Sequence, residues 1–194
     1  VVLGIVTTLA LLATAACSSE PTAELTAAQA AVDQAKAAEA DVYIPQQYQQ
    51  LKATLDEVQA GIKAEGEKFA LFRDYEPLKQ KLVELKTNAD AAVQAAQAEK
   101  ERVRKEVEQA LAEAESALAA AQEALAKAPK GKGTKADLEA LKADLDAVSS
   151  ALSTARQSVE AGKYLEAKSQ IASAKAQADS VASEIAAAVS RRGR

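Results

Sequence analysis

Apolar residues recur along this chain in alternating steps of three and four. One run reads Tyr48, Leu51, Leu55, Val58, Ile62, Phe69 and Phe72, with Glu65 as its one polar interruption. A second reads Leu138, Leu141, Leu145, Val148, Leu152, Ala155 and Val159 without a break. A third reads Tyr164, Ala167, Ile171, Ala174, Ala178, Val181 and Ile185. A period of about 3.5 residues held over several heptads keeps one stripe of a helix against its neighbour, as in left-handed coiled-coil packing. Few residues punctuate the pattern: Pro45, then Asp74 and Pro77, then Pro129, then Gly162. Proline and glycine stop or turn helices, so the spacing predicts five of them, at 23–42, 45–72, 75–128, 135–161 and 164–190.

The third predicted helix changes frame. Tyr75, Leu78, Leu82, Leu85, Ala89, Ala92 and Ala96 hold one register. Val107, Leu111, Ala114, Leu118, Ala121 and Leu125 hold another, displaced by one residue. Between them lies EKERVRKEVE (99–108), which is almost all charge. A displaced stripe faces a new direction, so one long helix is expected to serve two bundles. At about 1.5 Å per residue it would run about 80 Å, giving a rod. Internal repetition points the same way. LKATLDEV (51–58) recurs as LKADLDAV (141–148), Tyr75, Lys79 and Leu82 as Tyr164, Lys168 and Ile171, and Lys86 and Asp90 as Lys175 and Asp179. The expected fold is all-α: an elongated antiparallel helical bundle or coiled coil, in which two spectrin-like three-helix bundles share one long helix. The first bundle is expected over 23–98 and the second over 99–190, followed by a basic tail at 191–194. Tyr75 and Tyr164 each head a helix after a turn, where a large ring is expected to close the end of a bundle.

Composition narrows the core. The 194 residues are 48% hydrophobic but only 3% aromatic, with no Trp and no Met, and alanine supplies much of the apolar share. Ala, Glu, Lys, Gln and Leu all favour helix. Alanine also buries little area, so narrow seams are expected rather than a broad core. The 24 basic and 28 acidic residues are mixed along the chain, as on solvated helix faces. No basic stripe with interleaved aromatics is present, which argues against nucleic acid as a partner. The SRRGR end (190–194) reads as a solvated terminus.

Residues 1–16 (VVLGIVTTLALLATAA) stand apart from the rest. They are apolar or small, short for spanning a bilayer, and suited to the apolar part of a secretory signal peptide. No basic residue precedes them and the chain has no Met, so the sequence is expected to be cut short at its start. Thr14-Ala15-Ala16-Cys17, with Leu11 and Leu12 upstream, resembles the lipobox of bacterial lipoproteins. The departure is Thr14, where that pattern usually has an aliphatic residue. The resemblance implies that Cys17, the only cysteine, takes a diacylglycerol on sulfur and becomes the first mature residue, with 17–22 as a short linker. Two other readings stand beside it. Ala13-Thr14-Ala15 is an A-x-A site for ordinary signal peptidase, and the segment could stay as an uncleaved anchor. The lipobox reading implies the bacterial cell envelope. Ser18 rather than Asp follows the cysteine, which implies the outer membrane, facing the periplasm, where there are two membranes. Otherwise the address is the outer face of the plasma membrane.

AEADVYIPQQYQQLKATLDEVQAG (38–61) is similar to alanine-rich bacterial envelope lipoproteins that carry a helical domain of unknown function. Their Ala-x-x-Tyr-x-Pro pattern is matched by Ala40, Tyr43 and Pro45. AGKYLEAKSQIASAKAQA (161–178) resembles the Gly-x-Tyr-x-x-Ala-Lys helix starts that accompany it. The resemblance covers much of 25–95 and, less clearly, 137–185. It implies helices and an envelope location, and brings no catalytic residues.

Chemistry is sparse. The chain has no histidine, the commonest general base and a leading metal ligand. A single cysteine cannot build a thiolate zinc site. The carboxylates alternate with Lys and Arg at pairing distance on the helices. KGKGTK (130–135) echoes the end of a phosphate loop but lacks its earlier glycine and preceding strand. There Pro129 stops a helix, and Thr134 with Asp137 suits the start of the next. No catalytic residue, cofactor, metal site or small-molecule substrate is therefore expected. The expected function is a non-catalytic, lipid-anchored scaffold, spacer or docking protein, held to the membrane through Cys17 and facing an envelope protein or peptidoglycan. The alternative is a helical binding module, chaperone-like or a secretion adaptor, which grips a partner helix at a shallow seam such as Ala89, Ala92 and Ala96.

Overall fold

The computed structural model describes residues 19–128 and 135–192, and their regular structure is all helical. Helix α1 spans Thr22–Ala37, α2 Ala40–Tyr43, α3 Pro45–Glu67, α4 Glu76–Lys127, α5 Lys135–Glu160 and α6 Tyr164–Arg192. A 3-10 turn at Ala70–Phe72 lies between α3 and α4. The chain is all-α, with no strand among the described residues. None of the described helices is long and apolar enough to cross a membrane.

The stretch predicted as one helix over 23–42 is two. Alanine-rich sequence alone would carry the helix through, but Glu39 takes left-handed backbone angles at φ 62°. The amide of Glu39 closes α1 on the Lys36 carbonyl at 2.8 Å. Its own carbonyl then accepts the amides of Val42 and Tyr43 at 3.0 Å and starts the single turn of α2. Pro45 enters α3 in its first turn, where a missing amide hydrogen costs nothing. The Ala-x-x-Tyr-x-Pro segment is thus the bend that brings α3 back onto α1.

The chain divides into two compact units between Gln97 and Ala98, inside α4. In the first, the core is unevenly built. Helix α1 buries only Ala28, Ala31, Val32 and Ala35, whereas α3 supplies Tyr48 and Leu51, the start of α4 supplies Leu82 and Leu85, and Tyr75 joins them from just before α4. Small residues keep helices close. A Cβ placed on Gly61 of α3 would stand 2.8 Å from a methyl of Leu78 in α4. A surface pair, Lys81 to Glu57 at 2.7 Å, links the same two helices, a contact of the exposed kind that adds little stability.

In the second unit, Val107, Ala114 and Leu118 of α4 are buried together with stripes from α5 (Leu145, Val148, Leu152) and α6 (Ile171, Ala174, Ile185). A glycine-centred turn joins α5 to α6. Gly162 is left-handed at φ 75°, the Lys163 amide donates to the Ser158 carbonyl at 2.9 Å, and the Gly162 amide donates to the Val159 carbonyl at 3.0 Å. This is the Schellman pattern that satisfies the last carbonyls of a helix. At this turn Ser158 takes the last inward position, and Val159, expected on the stripe, is half-buried.

The repeat is visible in partners as well as letters. Lys86 pairs with Asp90 at 2.6 Å, and Lys175 pairs with Asp179 at 3.0 Å. Leu82 and its counterpart Ile171 are both fully buried. The tyrosines differ, since Tyr75 is buried and Tyr164 only half-buried.

The frame shift in α4 is narrower than its charged collar. Val103 is buried and keeps the register of Ala96, while Val107 begins the new one. Charge crowds around this step. Arg102 holds Glu99 at 2.5 Å and also pairs with Glu106, which accepts Lys168 of α6 at 2.9 Å. Hydrogen bonding from Lys168 is the main cause holding the Glu106 carboxyl below its ordinary range, with Arg102 adding to it.

Candidate docking loop between α3 and α4

The heptad spacing predicts a second helix that runs to residue 72 with Phe69 and Phe72 on its buried stripe. The structure corrects both expectations: α3 ends at Glu67, and Phe69, Leu71 and Phe72 are 68, 79 and 75% exposed. The cause is local. Lys68 and Phe69 are extended (ψ 155° and 138°), so the helical register no longer assigns a face to the residues beyond them. Phe69 and Phe72 are the chain's only phenylalanines, and their ring centroids lie 6.3 Å apart.

Polar groups hold the loop in this form. Arg73 folds its guanidinium back onto the end of α3, donating from Nε to the Lys68 carbonyl at 2.9 Å and from Nη2 to the Gly66 carbonyl at 2.7 Å. Carbonyls at a helix end otherwise lack partners, so this side chain caps α3. The Glu65 carboxylate accepts from Lys68 Nζ at 2.5 Å and from the Asp74 amide at 3.1 Å. Asp74 in turn accepts the Glu76 amide at 3.1 Å as α4 begins. The loop's polar atoms are tied inward while its apolar side chains face solvent. A projecting apolar cluster on a well-bonded loop is a candidate contact surface.

The same bonds predict an acid response. Hydrogen bonding from Lys68, then from the Asp74 amide, holds the Glu65 carboxyl below its ordinary value. A depressed carboxyl stabilises the fold above its unfolded pKa of about 4.3 and loses that contribution as pH falls through the lower folded value. The Glu65 side-chain carboxyl resonance is therefore expected to titrate below about pH 4.3, and Lys68→Ala is expected to move it upward. A midpoint at or above the ordinary value would contradict this arrangement.

Of the residues the sequence singles out, Cys17 lies outside the described residues. So does the 129–134 part of the glycine-lysine turn, whereas Asp137 stands in the first turn of α5. The alanine seam at Ala89, Ala92 and Ala96 is buried in the same core as Ala28, Ala31 and Ala35. Among the described residues, no group of three or more Cys, Asp or Glu stands placed to hold a metal ion. A shallow groove lies where α1 and α4 begin, lined by Glu24, Glu76, Lys79, Gln80, Val83 and Glu84.

Periodicity by itself counts Phe69 and Phe72 as core. The signals against it are Gly61 and Gly66, which weaken the end of a helix, and the placing of both phenylalanines between Lys68 and Arg73. No protein-family model matches this chain, and neither the curated proteins nor the solved structures give a match.

Proposed function

We propose that this protein is a lipid-anchored, non-catalytic scaffold or docking protein of the bacterial cell envelope, akin to the alanine-rich lipoproteins that 38–61 resembles. The observation that carries this reading is the place of Cys17. The chain's one cysteine closes an apolar run and stands five residues before Thr22, where the helical body begins. A lone thiol has no disulfide partner within the chain, and acylation gives it a role. Stable anchoring needs more than a single acyl chain, which a diacylglycerol on sulfur supplies. The layout proposed for the body is spectrin-like. Helices α1 and α3 form a three-helix bundle with the first part of α4, and α5 and α6 form another with its second part. The mixed Glu and Lys faces would meet an envelope protein or peptidoglycan.

Metabolic labelling with a radioactive fatty acid tests the anchor. The full chain is expected to take up label, and its Cys17→Ser variant none. Equal labelling of the two, or no label in either, would sink the proposal.

A further inference from the structure

The exposed loop and the start of the described chain lie at one end of the first unit. Gly66 of α3 sits beside Tyr75, whose hydroxyl is 3.5 Å from where a glycine Cβ would stand, so the end of α3 meets the start of α4. Glu24, in the first turn of α1, lines a groove with Glu76, Lys79 and Gln80 of α4. Pro21 just before α1 is fully buried. From Cys17 to Thr22 the chain can reach at most about 18 Å. Whatever holds Cys17 therefore lies within that reach of the end of the first unit that also carries Phe69, Leu71 and Phe72.

We infer that this loop is a second membrane contact, placing Phe69, Leu71 and Phe72 in the interfacial layer of the bilayer that holds Cys17. The inference rests on the anchor reading for its choice of occupant. The three side chains offer on the order of 400 Å² of apolar surface, so two copies meeting through this loop alone would bury about 800 Å² in total, below the roughly 1,000 Å² that a specific contact needs. They are borne on a projecting turn rather than in a groove, as suits entry into a soft lipid interface. Aromatic rings with Leu beside them favour that layer, and Lys68 and Arg73 bracket the segment at headgroup level. Both cations are already engaged, Lys68 by Glu65 and Arg73 by the carbonyls of α3. Acidic Glu67, Asp74 and Glu76 surround them. Insertion should then be driven by apolar area, proceed on zwitterionic lipid, and change little with salt.

The chain has no tryptophan, so a single introduced indole reports its own surroundings. Phe72→Trp in the full chain, purified with its native N-terminus, is added to phosphatidylcholine vesicles with brominated acyl chains. Val42→Trp, exposed on α2 at the other end of α1, serves as the distant reporter. The expected result is a blue-shifted emission from the Phe72→Trp chain, quenched severalfold by the bromines and unchanged by 0.5 M salt (a value on the order used to collapse surface electrostatics). The Val42→Trp chain should be unaffected. Adding Phe69→Ser and Leu71→Ser to the Phe72→Trp chain should bring its quenching down to the level of the distant reporter, with helix content by circular dichroism unchanged. Equal emission of the Phe72→Trp chain on brominated and ordinary lipid overturns the inference. So does a blue shift that grows with protein concentration before lipid is added, which would assign the loop to a second copy. Fatty-acid labelling of the same preparation separates the two ideas. Label without quenching leaves the anchor and removes the loop contact, whereas quenching without label does the reverse.

Discussion

Leu82→Ala is expected to cost the first unit about 3 kcal/mol, within the range for leucine truncation in a packed core. Leu82 is fully buried in the first half of α4, in the same core as Leu51 and Val58 of α3. The surrounding core is built largely of alanine: Ala28, Ala31 and Ala35 from α1, and Ala89, Ala92 and Ala96 further along α4. Side chains of one methyl cannot swing into the space a leucine leaves, so the cavity persists and its cost adds to the lost transfer energy. Over a unit of this size the loss corresponds to a fall in melting temperature of roughly 15 °C. Thermal unfolding followed at 222 nm checks it. Val83, the next residue along, is 59% exposed and provides the contrast. Val83→Ala should fall within about 0.5 kcal/mol of the parent, as surface changes usually do.

A larger effect is expected where α4 changes register. Val103→Asp and Val107→Asp should each destabilise the second unit by about 4 kcal/mol, because each places a carboxylate in a buried position without a partner. Val107 is fully buried and Val103 nearly so, although both stand in a segment that is otherwise charged. Most of the charge around the two valines is already paired. Arg102 is shared between Glu99 and Glu106, Arg104 lies 3.1 Å from Glu101, and Lys168 reaches Glu106. Lys105 lies between the two valines on the exposed side. Lys105→Asp is therefore expected to change stability by less than about 0.5 kcal/mol. Urea unfolding of the three variants distinguishes them. If all three behave alike, the register step does not lie between Val103 and Val107.

How much of this is legible in the sequence depends on how far a repeating stripe reaches. Inside regular helices the three-four spacing places Leu141, Leu145, Val148 and Leu152 correctly, because a helix long enough to repeat turns spacing directly into a face. The Gly162 turn is legible for a similar reason, since glycine suits the left-handed position that ends a helix. Three features are not. The bend at Glu39 uses a residue with no glycine-like signature, and its alanine-rich surroundings favour helix on either side. Val103 is hidden by the charge around it, because a single apolar position carries little weight in a segment of Glu, Lys and Arg. Phe69 and Phe72 are misplaced because a heptad count runs on past the residue where α3 ends. That end is set by Arg73 reaching back to Gly66 and Lys68, a contact between residues five and seven apart that no helical period encodes.

In the proposed reading, the anchor and the loop share one membrane. Cys17 ends the apolar run, the chain enters α1 within five residues, and Glu24 of that entry shares a groove with Glu76, which follows the exposed turn. The most direct measurement is the mass of the N-terminal peptide from the mature protein. It is expected to begin at Cys17 and to carry a diacylglycerol on Sγ. A mature chain that begins at Ala16, or one that keeps residues 1–16 with an unmodified Cys17, would contradict a lipid-anchored scaffold.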